Sequence, residues 1–122
     1  TIIIVGGGPS GASAAKGMAD RGYTNVHLCE AYPHPETTSK TSHKAYGIAL
    51  SPRGQQGILD ATGIDIVEQA SSRKLGVLCS YLAQHVYNPK TQQTSSKARP
   101  NKDCERVVVK RQDLSAFLWT WD

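Results

Sequence analysis

No stretch of this sequence approaches the roughly 18 to 20 consecutive apolar residues that a membrane-crossing helix needs, so membrane association is not indicated in this segment. Cysteine is scarce. Cys29, Cys79 and Cys104 are odd in number, far apart and without the paired spacing of a zinc site or a disulfide framework. They read as reduced thiols, as in a reducing intracellular compartment, although the organelle stays open. The histidines at 27, 34, 43 and 85 fall at no metal-ligand spacing, which argues against a metal site. Aromatic residues are not interleaved with the basic ones, and no nucleic-acid-binding motif is visible, so nucleic acid is not an expected partner. No internal repeat is present.

The 122 residues, 39% apolar and 20% charged, have the balance of one small globular domain with a single modest core. Charge is uneven along the chain. Residues 71 to 111 carry nine Lys or Arg against Asp103 and Glu105, an excess larger than the net +4 of the whole. Either this is a solvated loop surface, or it steers a phosphorylated nucleotide or an acidic substrate.

Thr1 to Val5 is a wholly apolar, β-branched run stopped by glycine, which predicts a strand buried on both faces of a parallel sheet. From Pro9 to Arg21 the pattern changes to small helix formers, with Ala12, Ala15 and Ala19 on neighbouring turns and Gly22 at the stop. Asn25 to Glu30 predicts a second parallel strand that closes a βαβ unit. Residues 31 to 47, with Pro33, Pro35 and Gly47, read as a connection. Ser51 and Pro52 then open a helix that Gly63 halts. Leu75 to Tyr87 predicts a strand or hairpin arm, turned by Asn88 and Pro89, and Asn88 to Asp103 an exposed loop or insertion. Val107 to Val109 predicts a buried strand. Beyond it, Leu114, Phe117, Leu118 and Trp121 recur as the stripe of a packed helix. Only two clear parallel strands are supplied, so the sheet is expected to be incomplete and the chain to continue past Asp122.

Gly6-Gly7-Gly8-Pro9-Ser10-Gly11 is a G-x-G-x-x-G between a predicted strand and a predicted helix, the context in which that pattern predicts dinucleotide binding. Gly6 would allow the turn off the strand, Gly8 would let backbone approach a pyrophosphate, and Gly11 would permit close helix-to-strand packing. Free N–H groups and the dipole at the helix start favour an anion without a basic side chain, and none precedes Lys16. Glu30, nineteen residues beyond Gly11, stands where a carboxylate accepts hydrogen bonds from an adenosine ribose and disfavours a 2′-phosphate, so FAD or NAD is expected in this site.

The run IIIVGGGPSGASAAKGMADRGYTNVHLCE, together with KAYGIALSPRGQQGILDATGI and VVVKRQDLSAFLW, resembles the FAD-dependent aromatic-ring monooxygenases, the group A flavoprotein hydroxylases, with their kynurenine-hydroxylating branch among the nearest. These segments lie in the family's order and cover roughly half the chain. The resemblance implies an α/β fold, the N-terminal part of a Rossmann-like FAD-binding fold, with residues 71–109 supplying part of an antiparallel substrate-domain segment and a polar insertion. It implies FAD as cofactor, NAD(P)H and O2 as co-substrates and a small aromatic substrate. Its cofactor-binding set maps to Gly6, Gly8, Pro9, Ser10, Gly11, Glu30, Ala31, Lys44, Ala49 and Arg111, with Lys44 standing where the family has Arg. Val77 stands near the position of the Arg that holds the substrate carboxylate in the kynurenine-specific enzymes, which puts that substrate in question. No catalytic residue is nominated, because the flavin carries the hard step, and the segment alone is expected to be inactive. A flavin-linked reductase or oxidase, an NAD-dependent dehydrogenase and a truncated non-catalytic nucleotide-binding module remain the alternatives.

Overall fold

The computed structural model describes residues 1–37, 46–72, 74–79, 81–100 and 106–120; Lys44, Cys104 and Trp121 lie outside them. Four β-branched residues form β1 (Ile2–Val5), and Pro9 starts α1 (Pro9–Asp20), where its fixed φ suits the first helical turn and its missing N–H is not needed. Gly22, at φ 87, reverses the chain into β2 (Val26–Cys29). β2 runs parallel to β1, with Ile2 opposite Val26 and Val5 opposite Cys29, so the βαβ unit read from the sequence is present. Hydrogen bonds from Ile2 N to Asn25 O (2.8 Å) and from Gly6 N to Cys29 O (2.7 Å) extend the ladder at both ends.

Burial of β1 differs from the sequence reading. Ile2 and Ile4 are half-buried, Ile4 against Gly11 of α1, whereas Ile3 and Val5 are 65% and 85% exposed. One helix covers one face of a two-stranded parallel sheet, and among the described residues no second layer covers the opposite face, as full burial would require.

α2 (Pro52–Thr62) is bounded as its sequence predicts. Ser51 Oγ accepts from Gly54 N, and Gly63 takes the left-handed cap at φ 73 with its N–H on Leu59 O. Gly17 lets α1 approach α2 closely, since a Cβ there would overlap the Ala61 carbonyl oxygen. Arg21 closes the crossing by donating to Asp60 O at 2.9 Å and Ala61 O at 3.0 Å, carbonyls at the negative end of α2.

Several elements lie where the sequence predicted none. A 3₁₀ turn at Pro35–Thr37 lies within the connection read over 31 to 47, and β3 (Gly47–Leu50) begins at its last residue. α3 (Ile66–Ser71) starts at Asp65, whose Oδ1 accepts from Val67 N (2.9 Å) and Glu68 N (3.1 Å), and buries Ile66 and Ala70. The predicted arm over 75–87 divides into β4 (Val77–Leu78) and β5 (Tyr81–Asn88). The polar stretch after Asn88, predicted as an exposed loop or insertion, is largely β6 (Gln93–Pro100), antiparallel to β5 in unbroken register from Asn88–Gln93 to Tyr81–Pro100. Composition told correctly that it buries nothing, because residues 83 to 100 are all exposed. Backbone pairing needs no apolar side chain, and that is what composition could not reveal. The turn is closed by Asn88 Oδ1, which accepts from Lys90 N at 3.0 Å, and by Gln92 at φ 54.

β7 (Val107–Lys110) is the buried strand predicted at 107–109 and the centre of an antiparallel sheet ordered β3-β7-β4. It leads directly into α4 (Arg111–Leu118). The core lies between the helices and this sheet: Ala12 of α1, Ile58 of α2, Ile66 of α3, Val107 of β7, and Leu114 and Leu118 of α4, all but Ile58 fully buried. The chain is thus a mixed α/β structure with one small parallel sheet and two antiparallel ones.

Candidate functional site

The β1-to-α1 turn is shaped by its glycines. Gly6 sits at φ 99, a conformation that side-chain-bearing residues rarely adopt. A Cβ on Gly11 would overlap the carbonyl oxygen of Gly6 and lie 3.5 Å from Ile4 Cγ2, so this glycine is what seats α1 on β1. Gly8 is the N-cap of α1. No side chain caps the helix there and its first turn contains no acid, so the positive end of the dipole is open to an anion from outside the helix.

Strand register brings Glu30 to the turn. With Val5 opposite Cys29, the residues that follow both strands emerge side by side, and Glu30 Oε2 accepts from Gly7 N at 2.6 Å. Its other oxygen accepts from Tyr32 N at 3.0 Å. Charge-assisted bonds of this length fix the carboxylate beside the loop.

α4 supplies the remaining wall. Arg111, whose N–H donates to Tyr46 O, places Nη2 2.7 Å from where a Gly8 Cβ would stand. A guanidinium therefore borders the mouth of α1, reachable because Gly8 has no side chain. Two turns along α4, Trp119 Nε1 donates to Gly7 O at 2.8 Å, and the indole meets His34 edge-on with centroids 4.9 Å apart. Gln112 Nε2 donates to Pro35 O at 2.6 Å, tying the 3₁₀ turn to the same helix.

Of the residues read from the sequence, Gly6, Gly8, Pro9, Ser10, Gly11, Glu30 and Arg111 are brought together at this turn. Ala31 follows Glu30 and is exposed; Ala49 is exposed on β3, and Lys44 is outside the described residues. Val77 is 61% exposed on β4. Sequence reasoning missed Gly7, Trp119 and His34. A signal existed for the tryptophan, since Arg111, Ser115 and Trp119 recur at four-residue spacing and share a helix face. The basic excess of residues 71–111 is mainly solvated among the described residues: Lys74, Lys90, Lys97, Arg99 and Lys110 are exposed, whereas Arg111 borders the glycine turn.

A cavity of about 190 Å³ lies at the other end of the βαβ unit, lined by Ala15, Ala19, Tyr23, Thr24, Val26 and Leu28. It offers one phenol and one hydroxyl and no charge, so it lacks the chemistry of the glycine turn. Among the described residues, no group of three or more His, Cys, Asp or Glu could hold a metal ion, and no helix is long and apolar enough to cross a membrane. No protein family and no curated protein matches the chain.

Proposed function

We propose that this chain binds FAD at the β1-to-α1 turn, as the cofactor-holding part of an FAD-dependent aromatic-ring monooxygenase that uses NAD(P)H and O2. The observation that carries the reading is the convergence of three groups suited to two parts of one ligand, its pyrophosphate and its ribose. The start of α1 presents main-chain N–H groups and a positive dipole to a pyrophosphate. Arg111 adds a guanidinium at Gly8 that can take phosphate oxygens in pairs. Glu30, held by Gly7 N and Tyr32 N, brings to the turn a carboxylate, the kind of acceptor that takes ribose hydroxyls.

The residues fit such a group because Gly8, having no side chain, lets Arg111 Nη2 lie 2.7 Å from where its Cβ would stand, which puts a guanidinium at the start of α1. When bound, FAD supplies the redox chemistry, accepting a hydride from NAD(P)H and using O2 to hydroxylate an aromatic ring. This chain's share is to bind and orient: α1 and Arg111 neutralise phosphate charge, and Glu30 fixes the ribose. In this reading the parallel βαβ unit begins a Rossmann-like sheet, and the antiparallel strands over 77–109 contribute to a substrate domain. The resemblance to the aromatic hydroxylases selects the monooxygenase, and the glycine turn with Glu30 supports the dinucleotide.

Titration of the purified chain with FAD, followed by flavin fluorescence and calorimetry, tests the binding. One FAD per chain is expected, with ADP competing for the same site. Failure of both FAD and ADP to bind at concentrations near 1 mM, equivalent to less than about 4 kcal/mol of binding free energy, would overturn the proposal.

A further inference from the structure

Trp119 reaches across 112 residues of sequence to donate its indole N–H to Gly7 O at 2.8 Å. The N–H of the same glycine is taken by Glu30 Oε2 at 2.6 Å. Both polar groups of Gly7 are therefore held by side chains, at the point where the β1–β2 ladder has just ended with Gly6 N on Cys29 O. The indole also lies against the α-carbon, since a Cβ on Gly7 would overlap Trp119 Cζ2, and Gly7 is buried as a result. His34 meets the ring edge-on, at an interplanar angle of 89°.

From this arrangement we infer that Trp119 is a positioning residue of the dinucleotide site, holding the glycine turn in its binding shape before a ligand arrives. The inference rests on the FAD reading of the same turn. Three consecutive glycines form the backbone with the most freedom to lose, so ordering them on binding would subtract heavily from affinity. A turn ordered beforehand by Trp119 and Glu30 avoids that loss. Arg111 stands two turns earlier on α4, so the helix that aims the guanidinium also pins the loop it faces.

The test is Trp119→Phe, which keeps an aromatic ring and deletes the indole N–H. FAD affinity should fall roughly five- to tenfold, as expected for one lost hydrogen bond to a backbone carbonyl. In the ligand-free protein the Gly7 amide should be protected from hydrogen exchange in the wild type and exchange several-fold faster in the variant. Ile66→Val, in the core but on α3 and not on the helix that carries Arg111 and Trp119, should lower the thermal midpoint and leave FAD affinity unchanged. Equal FAD affinity in wild type and W119F, or a Gly7 amide unprotected in the wild type, overturns the positioning role alone. Absence of FAD and ADP binding by the wild-type chain overturns the dinucleotide reading beneath it.

Discussion

Two glycines, both in helices and both changed to alanine, should move stability in opposite directions. At Gly11 the added methyl would overlap the Gly6 carbonyl oxygen, with the Gly6 carbonyl carbon at 3.0 Å and Ile4 Cγ2 at 3.5 Å. Two of these three neighbours are main chain and cannot rotate aside, so α1 must lift from β1 or the turn must open. Overpacking of this kind costs about 1–3 kcal/mol, and more where the obstacle is backbone. At Gly57 in α2 nothing lies within 4 Å of the new methyl. Alanine there keeps the helical conformation and removes unfolded-state freedom, a gain of about 0.8–1 kcal/mol.

Thermal and urea unfolding followed by circular dichroism measures both, at about 3–6 °C of midpoint per kcal/mol for a chain of this length. Gly11→Ala should also lose FAD affinity by at least about tenfold, because lifting α1 moves its N–H groups away from the turn; each 1.4 kcal/mol is a factor of ten. Gly17→Ala separates stability from binding. Its methyl would overlap the Ala61 carbonyl oxygen at the α1–α2 crossing, remote from the turn, so it should destabilise with little change in FAD affinity. A Gly11→Ala protein as stable as wild type, or a Gly57→Ala protein less stable, would refute the packing argument.

Arg21→Ala removes the donor to Asp60 O and Ala61 O and should lower stability by about 1 kcal/mol in chemical unfolding, less at high salt because the guanidinium is exposed. Asp65→Ala uncaps α3 and should cost about 1 kcal/mol by the same measurement, with Asp65→Asn nearly neutral. Arg111→Lys keeps the charge at Gly8 but loses the paired donors, so FAD affinity measured by calorimetry should fall while its salt dependence persists. Glu30→Gln leaves one acceptor oxygen for Gly7 N, Tyr32 N and any ribose hydroxyl together, and FAD affinity should fall about tenfold or more.

Local signals carried the first third of the chain. A β-branched run, a glycine turn, Pro9 and Gly22 each act on neighbours in sequence, so β1, α1 and β2 could be placed from residues alone. The same holds for α2, whose two caps are Ser51 and Gly63. What escaped was set by distant partners or by brevity. β3 is four residues long and exists because Gly47 to Leu50 pair with Lys110 to Val107, a partner some sixty residues away. β6 has no apolar face to announce it and is defined by its ladder with β5. α3 was legible and overlooked: Asp65 followed three residues later by Glu68 is an acid-cap pattern before apolar Ile66 and Val67. In the site, the glycine spacing and Glu30 were readable because strand register links them, whereas Trp119 on Gly7 depends on how α4 docks.

That docking ties folding to binding more closely than the glycine motif alone would. Leu114 and Leu118 are fully buried and hold α4 in the core, while Arg111 and Trp119 on the same helix reach Gly8 and Gly7. Any change that loosens α4 must therefore displace the guanidinium and the indole together. By linkage the converse follows: FAD that binds only the docked form should stabilise the chain by about 2.7 kcal/mol at a hundredfold excess over its dissociation constant. The hairpin β5–β6 stands outside this coupling, since its described side chains are exposed and its strands pair chiefly with each other. Hydrogen exchange should thus slow on FAD addition in β7 and α4 and stay fast in β5 and β6, because an unsupported two-stranded ribbon is marginal in water whatever the core does.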